Sequence, residues 1–127
     1  MSSESLHEAP EVISAETKDL HRAIVSLREE LDAVDWYQQR AEGCTDDELR
    51  AILTHNKNEE IEHAMMVLEW IRRRSPVFAA HIKTYLNTTG PITAIEAAAT
   101  SGGGDPPAWD SGPASPSLGI GGLKGGK

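Results

Sequence analysis

The chain is short of the features that mark several large classes of protein. It has one cysteine, Cys44, among 127 residues. No internal disulfide framework can form, a reducing compartment fits the sequence, and Cys44 reads as a free thiol in a turn. Aromatic residues make up 5%, and a single phenylalanine is present. Basic residues are outnumbered, with 12 Lys and Arg against 20 Asp and Glu and a formal net charge of −8. That balance argues against a general nucleic-acid binder, which needs a basic face to displace counterions from phosphates, and favours attraction of cations. No stretch approaches the ~20 apolar residues of a membrane span. The first ten residues have no basic segment followed by an apolar one, so no secretory leader is expected and the chain reads as cytoplasmic.

What the sequence does contain is helical periodicity. Residues 1–13 read as a flexible arm. From Ser14, a capping residue, Leu20, Ile24, Leu27, Leu31 and Val34 recur at helical spacing, beside a second row of Ala23, Leu27, Val34 and Ala41. Gly43 is expected to end this helix in the left-handed conformation. Thr45 and Glu48 have capping-box spacing and open a second helix that runs to about Arg74, where Ser75-Pro76 makes continuation difficult. Shorter helices are expected over 77–86 and 91–99, and residues 14–99 read as one helical domain. The composition then changes. Residues 101–127 hold nine of the eleven glycines and four of the seven prolines, so 100–127 reads as a disordered tail. Near its end, at about 117–124, Leu118, Ile120 and Leu123 reappear in a glycine background, the pattern of a short peptide that docks apolar side chains into a partner.

Glu60 and His63 form a Glu-x-x-His pair in the second helix, and Glu30 lies in the first. Glu30 is 13 residues before Gly43 and Glu60 is 14 residues after Asp46. At ~1.5 Å rise per residue both lie roughly 20 Å from the turn, so an antiparallel hairpin sets them level. His63 shares a face with Glu60 one turn on. Two carboxylates and an imidazole suit iron, manganese or zinc. Di-iron sites in four-helix bundles take one Glu from each of two helices and a Glu-x-x-His pair from each of the others. This chain supplies half of that set, so a complete site requires a dimer. The spacing leaves alternatives open. Glu-x-x-His also arises on solvated helix faces, and His55, Glu59, Glu62 and Met66 form a competing stripe. A non-catalytic helical interaction protein recruited by its tail fits the pattern too. A zinc hydrolase fits less well, because only His63 is well placed and such sites usually carry two histidines on one helix. Tyr37, two turns from Glu30, could sit by the metals or simply fill the core. Glu29, Asp32 and Trp36 form an adjacent acidic face. His7, His21 and His81 show no partner and read as surface residues.

Beyond these patterns, the chain resembles the encapsulated ferritins, the ferritin-like cargo of encapsulin nanocompartments. The resemblance rests on His21 to Ile24, Glu29 to Tyr37, His55-Asn56 leading into Glu59 to Ala64, Leu68 to Arg73, Gly90 to Ile92 and Asp105 to Asp110, with the tail from Ser117 to Lys124 resembling an encapsulin localisation peptide. It implies an all-α fold, an antiparallel two-helix hairpin with short C-terminal helices, dimerising into a ferritin-like four-helix bundle. It implies a ferroxidase that oxidises ferrous iron at a di-iron centre, two irons per dimer, with Glu30, Glu60 and His63 of both subunits as ligands and Tyr37 close by. Glu29, Asp32 and Trp36 match an acidic access site for calcium or other divalent ions; Asp32 departs from a Glu in the family and shortens that arm. The implied assembly is an annular homodecamer, docked to the encapsulin shell protein through Leu118, Ile120 and Leu123, with the iron stored inside the shell. No nucleic-acid or membrane partner is implied.

Overall fold

A computed structural model describes residues 5–102. The docking-peptide residues Leu118, Ile120 and Leu123 therefore lie outside the described residues. The elements among them are all helices: a short 3-10 turn at Pro10–Val12, then α1 (Ala15–Gly43), α2 (Asp47–Arg74), α3 (Pro76–Tyr85) and α4 (Ile92–Gly102). None of these helices is long and apolar enough to cross a membrane. The described residues divide into two compact units, one of 5–13 with 18–70, the other of 14–17 with 71–102.

The first unit is an antiparallel hairpin of α1 and α2. Its cross-helix contacts run in opposite directions along the two helices: Arg50 reaches Ala41 and Cys44, Lys57 reaches Gln38, and His63 reaches Glu30. The helices are matched at 29 and 28 residues, each about 42 to 44 Å long. Small side chains let them approach: Ala64 is fully buried and Ala41 nearly so, with Leu20 the large apolar residue buried in this unit. Leu31, in the longer apolar row expected for α1, is half exposed. It lies about 100° around the helix from Glu30, and one partner helix covers only a single stripe.

The turn departs from the sequence reading at two points. Gly43 remains the last residue of α1; among the described residues the only glycine with positive φ is Gly90, at 89°. The carbonyls left open at the end of α1 are met instead by Arg50, whose Nε donates to Ala41 O at 3.1 Å and Cys44 O at 3.0 Å, while its Nη2 also bonds Cys44 O. At the start of α2 the cap is Asp46, whose Oδ1 accepts from Leu49 N at 2.8 Å, in place of the expected Thr45. Asp is as strong a capping residue as Thr, and shifting the start by one leaves the helix to begin at Asp47. Cys44 is a free thiol in this turn, as expected, with Sγ 3.5 Å from Asp46 O.

In the second unit, Ser14 caps α1 as expected, accepting from Thr17 N at 3.1 Å. Buried Ser75 accepts from Phe78 N at 3.1 Å and Pro76 occupies the first turn of α3, so the Ser75-Pro76 pair both ends α2 and starts α3. Ile71 and Val77 are buried on either side. The chain turns through Asn87 (φ 61°) and Gly90 before Pro91, and α3 and α4 pack together. α4 runs three residues beyond the expected end at Ala99, with Thr100 Oγ1 bonding back to Glu96 O at 3.0 Å. His81, expected without a partner, stacks on Tyr85 one turn on, with ring centroids 6.3 Å apart.

Candidate metal centre

Glu30 occupies the middle of α1, and Glu60 and His63 the middle of α2, all within the hairpin unit. The hairpin sets them level. One ligand atom from each can be chosen so that all three lie within 4.8 Å of one another, and this is the one such group among the described residues. His63 Nδ1 is 3.3 Å from Glu60 Oε1 and 3.7 Å from Glu30 Oε1. The carboxylate side chains are about a quarter exposed and the imidazole about half. Ala64, next to His63, is fully buried and packs the backbone of α2 inward at this level.

The electrostatics are those of a site that wants a cation. Two carboxylates this close cannot both stay ionised at no cost. Glu30 is pushed above its ordinary value, first by its hydrogen bond to Glu60, then by burial and by the repulsion of Glu60, with His63 opposing and Glu29 adding a little. Glu60 is pushed below its ordinary value, first because it accepts from Glu30; burial opposes, and His63 assists. Of the two carboxyls, Glu30 is therefore the one that keeps a proton to higher pH and Glu60 the one that loses it first. His63 is pushed up, first by its hydrogen bond to Glu60, against the effect of burial, with Glu30, Glu60 and Glu59 adding attraction. A divalent ion on these three groups would compete with protons for Glu30 and His63, the two that hold them more tightly than usual. The donor set of two carboxylates and one imidazole fits iron, manganese or zinc, and it is too few ligands for a closed site.

The other expected residues are placed less tightly. Tyr37 is half-buried on α1, and the Arg40 guanidinium lies over its ring at 5.4 Å. Glu29, Asp32 and Trp36 are exposed on α1 and do not join the three-residue group. On α2 the competing stripe is the more exposed of the two and borders the cluster: His55, Glu59 and Glu62 are exposed, Met66 is 64% exposed, and Glu59 adds attraction to His63. Sequence reasoning missed two ties between the helices that carry these residues. Lys57 Nζ donates to Gln38 Oε1 at 2.8 Å, one turn from Glu60, and Arg50 locks the turn. A signal for the second existed: a long cation seven residues after a helix end can reach its open carbonyls.

Comparison with known proteins agrees with this geometry. The EncFtn-like family pattern matches residues 5–89. The chain is 58% identical over 127 aligned residues to an encapsulated ferritin-like protein of Rhodospirillum rubrum, covering 98% of this chain and 91% of that protein. It is 46% identical to a ferritin-like protein of Thermotoga maritima, over 78% of this chain and 86% of the other. An encapsulin nanocompartment cargo protein of Myxococcus xanthus is 34% identical, over 71% of this chain and 75% of the other. Among solved structures, a crystal structure of a Nitrosomonas europaea protein superposes with a TM-score of 0.67 at 57% identity, covering 69% of this chain and 97% of that one. With its level Glu and Glu-x-x-His on an antiparallel hairpin and these matches along its length, the chain belongs to the EncFtn-like family.

Proposed function

We propose that this protein is a ferroxidase, oxidising ferrous iron at a centre completed when two copies bring their Glu30, Glu60 and His63 together. The observation that carries this reading is the convergence of those three ligands within 4.8 Å on one protomer. Three donors leave a metal under-ligated, and two facing copies supply four carboxylates and two imidazoles, the set found in di-iron bundles. Ferrous iron is the substrate. Two ferrous ions each give up one electron, and dioxygen accepts both with two protons to become hydrogen peroxide. The chain's own contribution is to hold two substrate ions close on Glu30, Glu60 and His63, groups for which protons compete with the ions, while Lys57–Gln38 ties α2 to α1 one turn from Glu60. Tyr37, on the Glu30 face of α1, is the nearby aromatic of this reading.

The remaining parts follow the same reading. Glu29, Asp32 and Trp36 form an exposed access site on α1 that draws calcium or other divalent ions toward the centre. The names of two relatives, encapsulated ferritin-like protein and encapsulin nanocompartment cargo protein, support shell association. Here the partner is an encapsulin shell, reached through Leu118, Ile120 and Leu123 on the tail of 100–127, and the place of action is the lumen of a cytoplasmic compartment where ferric product is stored. Pairs of chains assemble into an annular homodecamer. The test of the chemistry is aerobic ferrous oxidation by the full chain beside His63→Ala and Glu60→Ala. Acceleration lost in both variants supports the assignment; equal rates in all three proteins remove it, leaving a recruited helical hairpin without catalysis.

A further inference from the structure

Met66 is one helical turn beyond His63 on α2, close enough for the two side chains to be neighbours on the helix surface. It is 64% exposed, the most exposed large apolar residue of α2. It lines an open groove of about 400 Å³ together with Val67 and Trp70 of α2 and Asp19, Arg22, Ala23 and Ser26 of α1. Ser26 is one turn from Glu30, as Met66 is from His63. The groove therefore begins where the three-ligand cluster ends, on both helices. Asp19 and Arg22 in the groove pair with each other at 2.6 Å, and the Met66 thioether is the side chain in it that peroxide oxidises readily.

From this placement we propose that Met66 is a modification site, the methionine oxidised to its sulfoxide by peroxide released at the Glu30–Glu60–His63 cluster. The proposal rests on the ferrous oxidation proposed above, which supplies the peroxide. The step is an oxygen-atom transfer. The sulfur lone pair attacks one peroxide oxygen, the O–O bond breaks, an S–O bond forms, and the departing hydroxide takes a proton to become water. Sulfur loses two electrons and peroxide gains them. The product replaces a flexible apolar side chain with a polar one in the groove, and methionine sulfoxide reductases can restore it. Each chain thereby removes one equivalent of the oxidant before it meets a further ferrous ion.

Met65 provides an internal control. It is adjacent in sequence and 50% exposed, yet it lies two residues from His63, about 200° around the helix. Peroxide from bulk solvent meets both sulfurs about equally. Peroxide from the cluster meets Met66 first. The experiment oxidises ferrous iron aerobically on the full chain with catalase in the bulk, then maps sulfoxides by peptide mass spectrometry, beside a control of added hydrogen peroxide without iron. The expected result is Met66 sulfoxide in excess of Met65 sulfoxide by at least about fivefold during turnover, and a ratio near one in the control. Met66→Leu should oxidise ferrous iron at the parent rate while releasing more peroxide to solvent when catalase is omitted. Equal sulfoxide at Met65 and Met66 during turnover, or none at Met66 while iron is oxidised, overturns the proposal and leaves the ferroxidase reading intact. No acceleration of ferrous oxidation removes that reading, and this proposal with it.

Discussion

At the scale of single residues, the centre is a contest between protons and cations for three side chains. Glu30 is held above its ordinary 4.5 and His63 above its ordinary 6.5, so both carry protons at higher pH than they would in isolation. A divalent ion must displace those protons, so its affinity is full above the raised value of His63 and falls as pH drops through it. A competition titration of ferrous iron under anaerobic conditions at pH 8 and pH 6 should show weaker binding at the lower pH. His63→Ala should bind weakly at both and lose most of that dependence; a parent protein with pH-independent binding would contradict the competition between protons and cations. The carboxylates were legible in the sequence because counting residues from a turn fixes level, and level is what an antiparallel hairpin preserves. The fine placement of Tyr37 under Arg40, and of His81 on Tyr85, was not, because ring contacts depend on side-chain rotamers that spacing does not specify.

At the scale of elements, the long helices begin and end where the sequence puts them to within about two residues, since periodicity and Ser-Pro punctuation act locally. The caps were harder to read. Thr45, Asp46 and Asp47 are all competent capping residues in a row, and only the geometry of the turn selects Asp46. Gly43 offered a left-handed stop that the turn does not use, because Arg50 meets the open carbonyls. Two stability predictions follow from that difference. Gly43→Ala should stabilise the protein by about 0.5 to 1 kcal/mol, since Gly43 is helical and an added Cβ meets nothing within 4 Å. Arg50→Ala should cost about 1 to 2 kcal/mol through the exposed carbonyls of Ala41 and Cys44. Denaturant unfolding reads both; a destabilised Gly43→Ala or an unchanged Arg50→Ala would contradict this account of the turn.

At the scale of the whole molecule, one protomer presents two carboxylates and an imidazole, half the number of donors that a di-iron bundle uses, beside half-exposed apolar residues, among them Ile52 on the same α2 face as His63. Pairing two protomers face to face would complete the set and cover that surface. Native mass spectrometry should therefore show ferrous iron shifting the chain from monomer toward dimer and larger rings, and Glu30→Ala should blunt the shift. An oligomer distribution indifferent to both iron and the substitution would separate metal from assembly. Deleting 117–127 should abolish loading into a co-expressed encapsulin shell while leaving ferrous oxidation unchanged; continued loading would refute the docking peptide. The expectation of a second copy rests on the sequence as a missing pair of ligands, a matter of stoichiometry, whereas the groove beside the cluster required both helices to be in place. The most direct measurement is the amplitude of the fast phase of aerobic ferrous oxidation as iron is titrated into the purified chain. Saturation at about one ferrous ion per chain is the result expected of a two-iron centre shared by two copies. A trace that matches the protein-free control at every ratio would contradict it.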